Sequence, residues 1–162
     1  MYDFNAWFAK TEKYEAYEKQ SKEVIDDIKD LGETFLDVGC GQGRILKLLK
    51  KKNKRVMGLD QHYNNFDLLK DKWPNRKFDV VFTSLVLLCF DEESVQKIVD
   101  NMLKASKKYI YFYEEYYPNR ICGENIDIGK WVHYPKEHLK ADSVFNKQSE
   151  INKIWRRYLY EN

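Results

Sequence analysis

Apolar residues recur along the chain as short runs that alternate with segments of helical spacing. Four short runs favour buried strands, namely Thr34–Val38, Arg55–Leu59, Phe78–Thr83 and Lys108–Tyr113. Two segments between them follow the 3.6-residue period, with apolar faces formed by Ile45, Leu46, Leu48 and Leu49 and by Val95, Ile98, Val99, Met102 and Leu103. Strands that alternate with helices in this way predict a parallel sheet covered on both faces.

The ends of the chain follow other patterns. The first 33 residues are predicted to be helical, with Ser21 capping a helix that Gly32 ends. Asp91 is predicted to cap the later long helix, and Pro135 to open a short helix through Leu139. The tail predicts two strands, Ser143–Asn146 and Ile154–Tyr160, joined by the polar turn 147–150.

Together these elements predict an α/β protein with a single domain over residues 1–162. The expected architecture is a three-layer sandwich: a mostly parallel sheet with helices on both faces and a C-terminal antiparallel hairpin. The sheet is expected to be shortened between Asp60 and Phe78, since 17 residues cannot hold a helix, a strand and a connection of ordinary length. Either the helix is reduced to a turn or the strand is missing.

Composition narrows the class of protein. The net charge of +2 gives no global signal for nucleic acid. Three widely spaced cysteines, Cys40, Cys89 and Cys122, form no CxxC pair, so neither a disulfide framework nor a metal site is expected. No apolar run approaches the roughly 20 residues that cross a bilayer, and the N-terminus lacks the pattern of a signal peptide. We therefore expect a reduced cytoplasmic protein with no membrane partner.

A glycine-rich loop, Asp37-Val38-Gly39-Cys40-Gly41-Gln42-Gly43, joins the first strand to the next helix. Its glycines allow a sharp turn and a close ligand approach, and the following helix offers free N–H groups. Because Arg44 follows Gly43, the pattern is GxGxG and not the GxGxxG of dinucleotide sites. The carboxylate of Asp37 suits a ligand that carries positive charge.

These residues resemble the class I (Rossmann-like) S-adenosylmethionine-dependent methyltransferases. The loop 37–43 is similar to their first motif and Gly58-Leu59-Asp60 to their second. Phe78–Ser84 is similar to their fourth strand, which borders the transferred methyl group. The resemblance covers roughly residues 34 to 115. It implies S-adenosylmethionine as cofactor and methyl transfer to an oxygen or nitrogen of a small molecule.

The resemblance also assigns parts of the chain. Residues 1–33 would be a helical cap, 34–118 the cofactor-binding core, and 119–162 a substrate loop, short helix and hairpin. Asp60 would bind both ribose hydroxyls, while Asp67 would bind the adenine amino group or, equally, cap a turn before Leu68. The expected cofactor-binding residues are Asp37, Gly39, Cys40, Gly41, Gly43, Asp60, Gln61, His62, Asp67, Ser84 and Tyr14.

Residues predicted to serve catalysis lie at the carboxyl edge of the sheet, where such sheets bind their substrates. Glu114, Glu115 and Tyr117 are the candidates for orienting or deprotonating the acceptor; the alternative for the two acids is a solvated strand end. The early aromatic residues Trp7, Phe8, Tyr14 and Tyr17 either cover this edge or pack the first helix on the sheet. His133 is a further candidate for reaching the substrate.

The acceptor is less well defined than the donor. Ser84–Leu88 and Glu114–Pro118 show a weaker resemblance to small methylases associated with nine-carbon sugar biosynthesis, in which a histidine stands where this chain has Cys89. Two alternatives stay open: a non-catalytic S-adenosylmethionine-binding partner subunit, and an RNA methyltransferase. A small-molecule acceptor is favoured over nucleic acid, because the lysine clusters complement helix C-termini without a nucleic-acid partner. Monomer and homodimer are both compatible with the sequence.

Overall fold

The computed structural model of the protein describes residues 11–127 and 130–162, with side chains described for 15–126 and 130–162. Trp7 and Phe8 therefore lie outside the described residues, and Tyr14 lies in the first helix with its side chain outside those described. The helices are α1 (Thr11–Ile28), α2 (Arg44–Lys51), α3 (Gln61–Asn64), α4 (Glu92–Ala105) and α5 (Pro135–Leu139). The strands are β1 (Thr34–Val38), β2 (Arg55–Leu59), β3 (Phe78–Ser84), β4 (Ser106–Glu115), β5 (Asn125–Asp127), β6 (Lys130–Trp131), β7 (Phe145–Gln148) and β8 (Trp155–Glu161).

Six of the strands form one sheet in the order β2-β1-β3-β4-β8-β7. The first four run parallel, β8 runs antiparallel to β4, and β7 runs antiparallel to β8. This arrangement confirms the predicted parallel sheet with a C-terminal antiparallel hairpin. The pair β5 and β6 forms a separate small sheet that the sequence analysis did not predict.

Alternate residues of the strands enter two hydrophobic clusters, one on each face of the sheet. Phe35 and Tyr111 belong to the cluster that α1 and α2 complete, whereas Leu36 and Ile110 belong to the cluster that α4 completes. The helices therefore lie on both faces, as predicted for a three-layer sandwich. None of the described helices combines the length and the apolar character that crossing a membrane requires.

Strand register determines which residues meet at the carboxyl edge. Val38 of β1 is paired with Leu59 of β2 and with Thr83 of β3. The next residue along each strand, namely Gly39, Asp60 and Ser84, therefore reaches the same edge of the sheet. Parallel pairing thus places three predicted site residues side by side although they are far apart in the sequence.

The segment between β2 and β3 is shortened in both of the ways the sequence allowed. Helix α3 has four residues, and residues 65–77 contain no strand. This segment is held by its own contacts, since the indole of Trp73 donates to the Leu68 carbonyl at 3.0 Å and meets the Phe66 ring edge-on. Leu68 is buried in the core. Local packing therefore replaces the missing strand.

The prediction that Ser21 caps the first helix is wrong. Ser21 lies inside α1, and its hydroxyl donates to the Tyr17 carbonyl at 2.8 Å. The apolar stripe of Val24, Ile25 and Ile28 continues backwards to the buried ring of Tyr17, so the helix continues with it. A serine inside a helix satisfies its hydroxyl on the preceding turn in this way.

The predicted bounds of the terminal hairpin are also corrected. Strand β7 occupies Phe145–Gln148, so Ser143 and Val144 precede it and Lys147 and Gln148 belong to it. The connection to β8 is anchored because the hydroxyl of buried Ser149 bonds to Glu23 and Tyr113 at 2.7 Å each. A polar residue of the predicted turn is therefore buried and has hydrogen-bond partners in the protein.

Asp79 ties the start of β3 to the start of β1, and we expect its removal to destabilise the fold. Its carboxylate accepts from the Glu33 and Thr34 backbone N–H groups at 3.0 and 2.9 Å, and its own N–H donates to the Thr34 hydroxyl. Asp79→Ala should lower the free energy of unfolding by about 1–3 kcal/mol, as for hydrogen bonds to a charged group. Urea denaturation measures this, with exposed Asp30→Ala as the control; equal losses in the two variants would contradict it.

Candidate active site

A cavity of about 380 Å³ opens at the carboxyl edge of the sheet. Its volume falls within the range of about 300–1,000 Å³ that is usual for small-molecule sites. The predicted residues that line it are Asp37, Gly39, Cys40, Gly41, Asp60, Gln61, His62, Asp67 and Ser84. Gly43 is absent from the lining and instead precedes α2 as its N-cap.

The glycine loop adopts the backbone that its composition predicts. Gly39, Gly41 and Gly43 have φ angles of 75°, 54° and 74°, a region that residues with a Cβ rarely adopt. The Gly39 N–H donates to the Leu59 carbonyl at 2.7 Å, which fixes the loop to the end of β2. The bend therefore exposes bare backbone to the cavity.

Asp60 forms hydrogen bonds to two segments that line the cavity, the glycine loop and the start of α3. One carboxylate oxygen accepts from the Gly41 N–H at 2.9 Å, and the other accepts from the His62 N–H at 2.7 Å. Its position after β2 follows from the register, and its two backbone partners fix its orientation. Each oxygen keeps a second lone pair, so the carboxylate can accept from a pair of ligand hydroxyls.

Asp37 is a buried carboxylate whose second oxygen has no hydrogen-bond partner among the described residues. Burial raises the pKa of this carboxyl well above its usual range, the nearby Asp60 charge adds to the rise, and Arg44 opposes it. An uncompensated acceptor of this kind is costly unless a ligand satisfies it. The site therefore favours a ligand that brings N–H donors or positive charge.

Asp67 has the capping role that the sequence left open, whereas its binding of an adenine amino group stays a prediction. It lines the cavity, and one of its carboxylate oxygens accepts from the backbone N–H groups of Leu69 and Lys70 at 2.9 and 3.2 Å. The aspartate thus caps the turn that carries the apolar wall of Leu68 and Leu69. Its second oxygen forms an ion pair with Lys70 at 3.2 Å.

Helix α1 contributes a wall of which the sequence analysis named Tyr17, as covering this edge or packing the first helix, but missed Gln20. Tyr17 and Gln20 line the cavity, and the Gln20 amide donates to the hydroxyl of Ser84. The Tyr17 ring also lies under Arg44, with 4.9 Å between the guanidinium carbon and the ring centroid. A signal was present, because Gln20 is a polar residue within the apolar stripe that joins Tyr17 to Val24.

Glu114 lies behind the cavity and does not line it. One carboxyl oxygen accepts from the Val86 and Leu87 N–H groups at 3.2 and 3.4 Å, while the other has no partner among the described residues. Burial raises the pKa of Glu114 to about 8, against the opposing amides of Val86 and Leu87. Since Val86 lines the cavity, Glu114 supports that wall from behind.

The other two predicted catalytic residues bond to each other. Glu115 accepts from the Tyr117 hydroxyl and forms an ion pair with Lys130 at 2.7 Å. Neither residue is among those that line the cavity. Their catalytic role stays a prediction, and the contacts present give them a part in holding the segment after β4 to β6.

Comparison with known proteins adds a family and a fold. The family model described as "Methyltransferase domain" matches residues 2–161. No curated protein sequence matches the chain. Magnesium protoporphyrin IX methyltransferase from Synechocystis PCC 6803, solved with bound SAM, is 15% identical with a TM-score of 0.63 and covers 90% of this chain and 79% of its own.

Two further solved structures share the fold. An S-adenosylmethionine-dependent methyltransferase from Clostridium acetobutylicum is 15% identical with a TM-score of 0.62, covering 88% of this chain and 90% of its own. Phosphoethanolamine N-methyltransferase 1 from Haemonchus contortus is 13% identical with a TM-score of 0.62, covering 88% and 42%. At these identities the likeness establishes the fold alone.

Proposed function

This chain belongs to the methyltransferase domain family, and from that premise we propose that it transfers a methyl group from S-adenosylmethionine to an oxygen or nitrogen of a small molecule. The observation that carries the proposal is the cavity in which Asp60, oriented by two backbone N–H groups, lies with the unpartnered carboxyl oxygen of Asp37. A ligand with two adjacent hydroxyls and a cationic amine satisfies both acidic groups.

The residues present fit this cofactor. Asp60 would accept from the ribose hydroxyls, Asp37 would face the positively charged portion, and the loop from Gly39 to Gly41 would approach the ligand without a Cβ between them. When bound, the cofactor supplies a methyl group already activated by a sulfonium centre. The protein's own task is then to hold the acceptor in line and to exclude water.

A small-molecule acceptor is supported by the shape of the site. The cavity is lined by Gln20 and Ser84, whose side chains hydrogen-bond to each other, and by the thiol of Cys89 and the ring of Phe90. Magnesium protoporphyrin and phosphoethanolamine, named for two of the structural neighbours, are also small molecules. A non-catalytic S-adenosylmethionine-binding partner would use the same cavity and is distinguished by the absence of turnover.

Glu114 is best assigned as a positioning residue. Its carboxyl group holds the Val86 and Leu87 backbone, and Val86 in turn lines the cavity. Glu115 and Tyr117 would act farther from the cavity. Tyr117 donates a hydrogen bond to Glu115, and Glu115 forms an ion pair with Lys130. In this proposal deprotonation of the acceptor is left to the acceptor's own acidity or to water.

Calorimetric titration with S-adenosylhomocysteine tests the cofactor assignment. We expect binding in the wild-type protein and at least about tenfold weaker binding in Asp60→Ala, since a charge-assisted hydrogen bond contributes about 1.5–3 kcal/mol. Asp60→Asn retains one acceptor oxygen and should fall between the two. Exposed Asp142→Ala should bind as the wild type does.

The acceptor is tested separately by a turnover screen. Formation of S-adenosylhomocysteine is measured with hydroxyl and amine compounds and with RNA at several salt concentrations. Turnover with a small molecule supports the proposal. Turnover with RNA alone, with the steep salt dependence typical of phosphate contacts, would overturn the small-molecule assignment.

In the calorimetric test, equal affinity of wild type and Asp60→Ala for S-adenosylhomocysteine would remove Asp60 from the site.

A further inference from the structure

Three side chains with metal-binding chemistry meet outside the cavity. Cys122 follows β4, His133 precedes α5, and His138 lies within α5. The Cys122 Sγ atom lies 3.6 Å from His138 Nε2, and His133 Nδ1 lies 3.3 Å from the same nitrogen. All three ligand atoms lie within 4.8 Å of one another, and both histidines are buried. The main cavity does not include any of the three.

The two short distances match the edges of a tetrahedral zinc site. Zinc binds nitrogen at about 2.0–2.1 Å and sulfur at about 2.3 Å. In a tetrahedron these bond lengths separate two nitrogens by about 3.3 Å, and a nitrogen from a sulfur by about 3.6 Å. Two of the three donor-atom pairs therefore lie at the separation that an ion at their centre would impose, and the third pair, Cys122 Sγ and His133 Nδ1, lies within 4.8 Å.

Hydrogen bonds on the far side of each ring set its tautomer. His133 Nε2 lies 2.7 Å from the Phe90 carbonyl, which only accepts, so this nitrogen carries the proton. The Gln96 amide nitrogen donates to Asp100 at 2.9 Å, which turns its oxygen toward His138 Nδ1 at 3.3 Å. His138 Nδ1 therefore carries the proton as well.

As a result, two lone pairs face each other across 3.3 Å, on His133 Nδ1 and His138 Nε2. The single proton of the Cys122 thiol can satisfy only one of them. A cation among the three atoms satisfies both. Metal-bound histidines usually donate their second ring N–H to a carbonyl or another side-chain oxygen, as both rings do here.

We propose that Cys122, His133 Nδ1 and His138 Nε2 form a binding site for Zn²⁺, with water at the fourth position. Binding converts the thiol to a thiolate and releases its proton to solvent. One soft sulfur and two imidazole nitrogens form a donor set that zinc prefers over magnesium or calcium. The ion links Cys122 to the rings of His133 and His138. These rings are in turn hydrogen-bonded to the Phe90 carbonyl and to Gln96 of α4.

The site departs from the sequence-based expectation of no metal. That expectation rested on the absence of a CxxC pair, but His133 and His138 are separated by four residues, a spacing that occurs in zinc sites. The cysteine lies 11 residues before His133. Only the folding of β5 and β6 between them brings the thiol to the histidines.

Cobalt substitution tests the site directly. The purified full chain is stripped with a chelator and titrated with Co²⁺, and we expect one equivalent to produce the intense visible bands of a tetrahedral ion and a thiolate-to-cobalt charge-transfer band. Cys122→Ser should lose the charge-transfer band. The matched variant Cys40→Ser should keep both features. Far-UV circular dichroism verifies that each variant is folded.

Zinc affinity provides the second measurement, by competition with a chromophoric chelator. Gln96→Ala removes the partner that orients His138, and we expect it to weaken zinc binding by about 10–100-fold, as for other outer partners of metal ligands. The matched His62→Ala should bind zinc as the wild type does. A wild-type protein that binds no ion, or a Cys122→Ser variant that keeps the charge-transfer band, would overturn the proposal.

Discussion

A single methyl group added at Gly39 is expected to disrupt both the fold and the cavity. A Cβ at this position would lie 2.4 and 2.6 Å from the two methyl carbons of Val86, and the φ angle of 75° is itself unfavourable for alanine. The conformation costs about 1–2 kcal/mol and the overpacking about 1–3 kcal/mol. Gly39→Ala should therefore lower the free energy of unfolding by about 2–5 kcal/mol in urea denaturation.

The same variant should lose affinity for S-adenosylhomocysteine. Relief of the clash moves either the glycine loop or Val86, and both line the cavity. A loss of about 3 kcal/mol of contacts weakens binding roughly a hundredfold. Calorimetry on folded Gly39→Ala protein at low temperature measures this loss.

Gly41 supplies the control for Gly39. It also has a positive φ, of 54°, but a Cβ there meets nothing within 4 Å. Gly41→Ala should therefore show the backbone cost alone, about 1–2 kcal/mol. Val86→Ala in the Gly39→Ala background removes the clashing methyls and should recover part of the stability. If the two glycine variants were equally destabilised and Val86→Ala gave no recovery, the clash would be excluded as the cause.

The placement of the glycine loop and Asp60 at the cavity could be predicted because its determinants are local. The bend at Gly39–Gly43 is encoded by the glycines themselves, and Asp60 follows its strand directly. Parallel register then brings both to one edge without further information. The same logic explains why Asp91 was correctly predicted as a cap, since its carboxylate accepts from the Ser94 N–H three residues on.

The rest of the site depends on contacts between distant segments. Gln20 reaches Ser84 from a helix 64 residues earlier, and the pattern along α1 alone does not reveal which strand it meets. Glu114 was predicted to be either a catalytic residue or a solvated acid at a strand end, but it is buried and the turn at Val86 and Leu87 covers it. Side-chain burial of this kind follows from the path of another segment, so local sequence could not determine it.

The buried carboxyl group of Glu114 should make the stability of the protein depend on pH. Its pKa is about 8 in the folded protein against an ordinary value of 4.5, so between these values the folded state holds a proton that the unfolded state has lost. Its contribution to stability is complete below about pH 4.5 and is lost as the pH rises toward 8. The slope approaches about 1.4 kcal/mol per pH unit.

Glu114→Gln isolates this contribution, because glutamine keeps the acceptor for Val86 and Leu87 but does not ionise. The unfolding free energies of variant and wild type are measured in urea from pH 5 to 8.5. As the pH rises over this range, the variant should gain up to about 4 kcal/mol of stability relative to the wild type. Asp37, whose pKa is also raised, contributes equally to both proteins and cancels in the difference. Exposed Glu93→Gln should run parallel to the wild type. A Glu114→Gln curve that also ran parallel to the wild type would mean that Glu114 ionises freely in the folded protein. That result would refute its burial in the neutral form.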